Sequence, residues 1–358
     1  NVAAGQRVAF AKVGAVLPGD FVIKKAKIRG AASEGMICST KELGLPSDGV
    51  DGIMVLPPGA PAGTDFASTL GPSDAVLDVE VGPNRPDCLS HLGLARELAV
   101  HFGTRLKAPA APSVPETGPV PLPVDVSDAE GCPRYTGRLI SGVKVGPSPA
   151  WLKERLERLG LRSINAAVDV TNLLLMENGQ PLHVFDADKL AGGRVQVRRA
   201  KSGETLKGLD GKDHALTDAD LVIADASGPV AVAGVVGGVP TGVTEATTNV
   251  FVECARFHPG RVRRTAKRLA ARTDSSVRFE RGVDPAAQAA AARRAAALIL
   301  ELCGGNAGPL SDTAGLSSVR PPVRVSAADI NALLGTAHPA ETVRALLTGL
   351  AAEAQDDG

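Results

Sequence analysis

Through the first 45 residues, apolar and polar side chains alternate around Val8, Phe10, Val22, Ile23 and Ile28, the two-residue period of a strand with one buried face. Turn pairs at Pro18-Gly19 and Arg29-Gly30 punctuate that pattern, which therefore predicts short antiparallel strands of a small barrel. After a Gly- and Pro-rich passage, LDVEVGPNRPDCLSHLGLARELAVHFG passes from strand period to helix period. Asn84 to Ser90 supplies turn and N-cap chemistry, Leu92, Leu94, Ala95 and Leu98 an apolar face, and Gly103 a C-cap. Residues 104–123 carry repeated prolines that cannot donate to a sheet ladder, and they read as an extended interdomain linker.

Strand-like alternation returns from Val124, notably in RYTGRLISGVKVG. Ser148-Pro149 then places a cap and a first-turn proline before Trp151, Leu152, Leu156 and Leu159, an amphipathic helix closed by Gly160. Between Arg162 and Asp186 the run VDVTNLLLMENGQPLHVFD packs Asp169, Thr171, Asn172, Glu177, Asn178, Gln180 and His183 among apolar residues. Buried polar groups need partners, so this density predicts either a bound polar ligand or a hydrogen-bond network under a loop. Strands and turns follow, with a hairpin at Asp210-Gly211, and then two helical segments, RVRRTAKRLAARTDSS and PAAQAAAARRAAALILELCGG. There is no internal repeat and no regular βαβ order, so the fold class is α+β and multidomain.

The length of 358 residues, with 44% hydrophobic and 22% charged positions, suffices for two or three domains with real cores. Lys and Arg total 39 against 39 Asp and Glu, so any nucleic-acid contact has to come from local patches. Five dispersed cysteines with no CxxC pair argue for a reducing compartment and against structural zinc. No apolar run reaches membrane-spanning length and no signal segment opens the sequence, so the expected location is the cytoplasm.

Several ordered motifs carry a resemblance. RYTGRLISGVKVGPSPAWLKERLERLGLRSINAAVDVTNLLLMENGQPLHVFDADKL, then GETLKGLDG, AVAGVVGG, FVECARFHP and SSVRFERGVDP, are similar to the central editing domain of the bacterial phenylalanyl-tRNA synthetase beta subunit. PNRPDCLSHLGLARELA resembles that family's amino-terminal domain, AFAKVGAVLPGDFVIKKAKIRGAASEGMICSTKELG its oligonucleotide-binding barrel, and RVSAADINALLGTAHPAETVRALLTGLAAE the helical domain after editing. The resemblance implies a partial OB-like tRNA-binding barrel over 1–70, part of the amino-terminal domain over 71–103, the linker, an editing domain over 124–312 and the start of a helical domain over 320–358. It also implies a piece of a longer subunit that enters partway through the barrel. The family's catalytic-like domain, magnesium-binding acids and anticodon-binding domain would lie outside it. Amino-acid activation, with ATP and magnesium, would belong to those parts and to the alpha subunit, so no cofactor and no metal is expected here. The implied partners are tRNA(Phe) and an alpha subunit in an alpha2 beta2 assembly, with no membrane.

What the resemblance leaves to this chain is hydrolysis of tyrosine mischarged onto tRNA(Phe). A pocket built to hydrogen-bond a phenolic hydroxyl discriminates strongly against phenylalanine, because the analogue leaves buried polar groups unpaired. The resemblance implies Glu253 as the hydroxyl-reading carboxylate and Ala233 and Gly234 as small residues that admit a ring. It implies His183 as the group that orients the water or the ester, Asn172 and Thr171 as the positions that hold the substrate's amino-acid and ribose groups, and Arg162 as a contact to the terminal adenosine or its phosphate. Arg261, Arg264 and Arg268, in a basic run from 261 to 272, are the candidates for tRNA backbone contact, or else a solvated surface. Arg278, Glu280, Arg281 and Asp284 read as an internal ion-pair knot, and Cys88 as a small buried residue. The other class of function is a non-catalytic tRNA-binding or assembly scaffold. An enzyme needs Glu253, His183, Asn172 and the AGVVGG backbone to meet in one cavity, and a scaffold does not.

Overall fold

The computed structural model describes residues 1–45, 52–70, 75–107, 109, 112–313 and 323–350, and the chain divides into two compact units, Asn1–Leu77 and Asp78–Gly358. In the first unit, β1 (Arg7–Val8) pairs with β8 (Val55–Leu56) and β2 (Phe10–Lys12) with β7 (Gly35–Ile37). Two local hairpins join β3 (Val16–Leu17) to β4 (Phe21–Val22) and β5 (Ala26–Ile28) to β6 (Ala31–Ser33), and a short helix α1 (Phe66–Thr69) follows. The second hairpin turns at Arg29 and Gly30, both at positive φ, the twist that a two-residue connection requires. The predicted alternation is present, but its sides are reversed from the bulk of the residues. Ala9, Ala11, Ile23 and Cys38 form the core, while Phe10, Val22 and Ile28 face outward. Period two defines two faces without saying which is inside. The described strands form four separate two-stranded ladders rather than a closed barrel.

In the second unit, α2 (His91–His101) starts at Ser90, whose hydroxyl accepts from Gly93 N, as the sequence predicts. The strand expected in LDVEVG is absent among the described residues, and within α2 the buried positions are Gly93 and Ala99 rather than the leucines. β9 (Val124–Val126) and β10 (Arg134–Ser141) follow, then α3 (Ala150–Arg158) and α4 (Ala166–Asn178). Next come β11 (Leu182–Asp186), β12 (Val195–Arg199), β13 (Thr205–Lys207), β14 (Asp213–Ala215), β15 (Leu221–Ala224), β16 (Pro229–Val232), β17 (Val236–Gly237) and β18 (Asn249–Arg256). The end carries α5 (Pro259–Arg268), α6 (Asp274–Arg281), α7 (Gln288–Cys303), β19 (Asn306–Ala307), β20 (Ser311–Asp312), α8 (Ala327–Leu334) and α9 (Ala340–Gly349). This is an α+β architecture, with helices in the 327–350 stretch where the sequence places them; 314–322 and 351–358 lie outside the described residues.

Two five-stranded sheets organise this unit, one with β18 between β11 and β10, the other in the order β17-β16-β15-β12-β9. Strand parity separates two cores across β18. Tyr135, Phe185, Phe251 and Ala255 face the second sheet and pack with Val197, Val222, Val232, Val262 and Phe279. Ile140, Val184, Val250 and Val252 face the other way, against Leu152 and Leu156 of α3, Val170 and Leu174 of α4, and Ala295 and Ile299 of α7. Both faces are covered, so β18 reads NVFVECAR, nearly continuous in apolar residues.

The boundary between units falls at Leu77/Asp78, not in the proline-rich stretch. The described residues of the 104–123 stretch carry no helix and lie on the second unit: Gly118 N donates to Ala307 O at 2.8 Å, and Leu122 and Val114 pack against the two cores. The segment before them is tied down as well, with Nε of Arg278 donating to Leu89 O and Nη1 of Arg281 to Val81 O. These arginines do not form the expected knot with Glu280 and Asp284. Arg278 is bonded to Asp274 and to main-chain carbonyls, because a buried guanidinium has more donors than one carboxylate can meet.

Candidate functional site

Glu253 sits in mid-β18, paired across the ladder with His183 of β11 on one side and Gly137 of β10 on the other. Directly opposite residues point to the same face, so both side chains project toward the second sheet. There a cavity of about 60 Å³ opens between the sheets, lined by Leu182, His183, Ile223, Ala231, Gly234, Gly237, Glu253, Ser275 and Phe279 among others. At roughly 10–15 Å³ per water on this measure, it is about four to six waters in size, the scale of one six-membered ring with a substituent. Two glycines keep it open. Gly234 has φ +72°, and a Cβ there would come within 3.0 Å of both Phe257 and Phe279; a Cβ on Gly237 would lie 2.5 Å from Cε1 of His183.

The polar groups of the cavity are uncharged. Burial raises the Glu253 carboxyl from 4.5 to about 8, against the smaller opposing effect of the Tyr135 hydroxyl, which donates to Oε2 at 3.3 Å. Burial thus favours the protonated carboxyl of Glu253 at neutral pH, able to donate as well as accept. Burial also lowers His183 from 6.5 to about 4, so its imidazole is neutral. Its ring stands edge-on to Phe185, with centroids 4.4 Å apart, and its buried Nε2 has no partner. Such an unpaired buried nitrogen marks a place for a ligand or water.

Of the sequence-predicted residues, the structure brings Glu253, His183 and Gly234 to one cavity and leaves others out. Ala233 is buried behind the lining, and Ala231 takes its place. Thr171 is buried in α4 with its hydroxyl donating to Val168 O at 2.6 Å, Asn172 of the same helix does not line the cavity, and Arg162 is exposed in the loop before it. The polar density of this region is largely a structural network: Asp169 accepts from Ser148 and Ser163 hydroxyls and from Ile164 N, and Asn165 caps α4. Ser148 is thus engaged with Asp169, and Pro149, not Ser148, is the N-cap of α3. The basic candidates divide. Arg261 is held by Asp128 and Glu130 and Arg268 by Asp220, while Arg264 is exposed beside Arg263 and Lys267.

Asp169 and Asp186 are separately engaged, the latter by Thr247 and Lys189. Among the described residues, one group has metal-ligand spacing, Asp87, Cys88 and Glu97, and Arg85 is ion-paired to both of its acids. Cys88 is buried there, as are the other four free thiols. Sequence reasoning missed Tyr135, Ser275 and Phe279. One signal was in view: Tyr135 is the chain's one tyrosine, set in a strand otherwise free of aromatics.

Residues 131–304 match the family model described as the B3/4 domain. The chain is 48% identical over 354 residues to the phenylalanine–tRNA ligase beta subunit of Geobacter sulfurreducens, covering 97% of this chain and 43% of that protein. It is 48% identical over 355 residues to the Geobacter metallireducens beta subunit (98% and 44%) and 50% identical over 309 residues to that of Bdellovibrio bacteriovorus (86% and 38%). The chain thus spans less than half the length of these curated relatives. A solved N-terminal fragment of the Pyrococcus horikoshii beta subunit covers 75% of this chain and 74% of its own, with 15% identity and a TM-score of 0.35, too loose a likeness to carry an argument.

Proposed function

Since this chain corresponds over nearly all its length to part of the phenylalanine–tRNA ligase beta subunit and carries a B3/4 domain, we propose that it is an editing hydrolase for tyrosine esterified to tRNA(Phe). The observation that carries this reading is the cavity itself, a mixed polar and apolar pocket onto which both a neutral Glu253 and an unpartnered His183 face. A tyrosyl ring satisfies Glu253, since its hydroxyl both donates and accepts. A phenylalanyl ring leaves the Glu253 hydroxyl without a partner, and that loss is the basis of selection.

In the reaction, water adds to the ester carbonyl, the bond from that carbon to the ribose oxygen breaks, and a proton passes to the departing 2′ or 3′ oxygen. Neutral His183 orients the water or the ester through its free nitrogen, and positioning supplies most of the acceleration. Arg162 contacts the terminal adenosine and Arg264 the tRNA backbone. The chain works in the cytoplasm beside an alpha subunit, which activates phenylalanine. Deacylation of tyrosyl- and phenylalanyl-tRNA(Phe) by the chain and by Glu253→Ala tests this reading. The wild type should prefer the tyrosyl ester, and the variant should lose about 0.5–1.5 kcal/mol of that preference, the range for a hydrogen bond between uncharged groups. Equal preference in both proteins would remove Glu253 from recognition, and no hydrolysis by either would favour the scaffold.

A further inference from the structure

The lining of the cavity accounts for Glu253 and His183 but not for the chain's one tyrosine, buried completely behind them. Tyr135 lies on β10 two residues before Gly137, which faces Glu253 across the ladder, so its side chain stands diagonal to Glu253 on the same face. Gly137 puts no side chain between them. A phenylalanine would fill the same space in that core; the hydroxyl adds one contact, the donation to Oε2 of Glu253 at 3.3 Å.

We propose that Tyr135 is a positioning residue whose hydroxyl pins Oε2 of Glu253 and turns Oε1 into the cavity to meet the phenolic hydroxyl of a tyrosyl ester, an inference that rests on the editing reading above. The terminal torsion of a glutamate is broad, so an unpinned carboxyl rotates and exposes either oxygen. With Oε2 accepting from Tyr135, the carboxyl proton resides on Oε1, and the cavity meets a fixed donor. A ligand ring without a hydroxyl leaves that donor unpaired, whereas a rotating carboxyl turns away from it and the contrast between ligands shrinks. The neighbours leave this geometry to the pair. β11 brings neutral His183, the turn before β10 brings the buried thiol of Cys132, β18 carries Cys254 on its reverse face, and the second sheet and α6 contribute Ile223, Ala231, Val232 and Ser275.

The test compares the full chain with Tyr135→Phe in single-turnover hydrolysis of tyrosyl- and phenylalanyl-tRNA(Phe), with Glu253→Ala and the double variant beside them. The ratio of the two rates should fall about three- to tenfold in Tyr135→Phe, the effect of one hydrogen bond, with no fall in the phenylalanyl rate. In the Glu253→Ala background Tyr135→Phe should change nothing further. An unchanged ratio, or equal slowing with both esters, overturns the positioning role. A wild type with no preference for tyrosine overturns the editing reading and this inference together, and it does so in the wild-type arm alone. Should Tyr135→Phe fail to fold, wild-type protein labelled at ¹³Cζ of its single tyrosine gives the answer in mixed H2O and D2O. A split signal reports a hydroxyl held against exchange, and one averaged signal overturns the pinned geometry.

Discussion

The two faces of β18 are built from alternate residues of one strand, yet one packs against helices and the other borders a cavity. On the helical side, Val250, Val252 and Cys254 meet Leu174, Ala292, Ala295, Ala296 and Ile299, and side chains from three helices fill the space. On the sheet side, Phe251, Glu253 and Ala255 meet a second sheet whose β16–β17 hairpin carries Gly234 and Gly237, and these glycines leave a volume unfilled. Helices adjust by rotating side chains into gaps, whereas two sheets about 10 Å apart need each inward position filled. A glycine in such a layer is a cavity unless a neighbour covers it. The difference teaches that stability and recognition have been placed on opposite sides of the same backbone.

The largest expected effect tests the packed side. Leu174→Ala should lower the free energy of unfolding by about 2–5 kcal/mol, measured in urea, while leaving the ratio of tyrosyl to phenylalanyl hydrolysis unchanged where the protein is folded. A changed ratio would mean that the two faces are coupled and would break the comparison.

Gly237→Ala probes the open side. The new methyl would meet the His183 ring, a side-chain tip that can move aside, so deacylation should drop about 10- to 100-fold, as expected when a positioned group shifts by about an ångström, with a small change in Tm. Loss of folding in step with activity would show that the cavity wall is structural.

Glu253→Gln reads the charge state. In the wild type the unfolded carboxyl ionises near 4.5 while the folded one keeps its proton to about 8, so this group makes stability fall as pH rises through that interval. His183 acts oppositely: lowered to about 4 from 6.5, it makes stability rise with pH between those values. The two slopes cancel up to about 6.5, and beyond it the Glu253 slope remains, about 1.4 kcal/mol per pH unit or roughly 2 kcal/mol by pH 8. Glu253→Gln should abolish that decline in pH-dependent denaturation, and an identical decline in both proteins would show that Glu253 is already ionised.

The smallest effects lie on α5. Arg264→Ala should weaken tRNA binding modestly and reduce the salt slope by about one, the signature of one lost phosphate contact, without a stability change. Arg261→Ala should do the reverse, since its guanidinium is held by Asp128 and Glu130. Equal binding losses from both would return Arg261 to the tRNA surface.

The sequence by itself determined the elements wherever local chemistry sufficed. Ser90 as a cap, the positive-φ turn at Arg29-Gly30, the helix ending at Gly160 and the mixed class are all local consequences of caps, glycines and periodicity. It also supplied Glu253, His183 and Gly234 through motifs that travel together, each of them found at the cavity. Tertiary structure alone decided what those residues are. Whether Glu253 is an acid or a carboxylate depends on desolvation by a second sheet distant in sequence, and whether Asp169 binds a ligand or three local donors depends on where Ser148 and Ser163 fold. The same holds for Arg261 against Arg264, three residues apart in one helix, one facing Asp128 and the other facing water. Spacing fixes which residues share a face; burial and partners, set by elements far along the chain, fix their charge and their use.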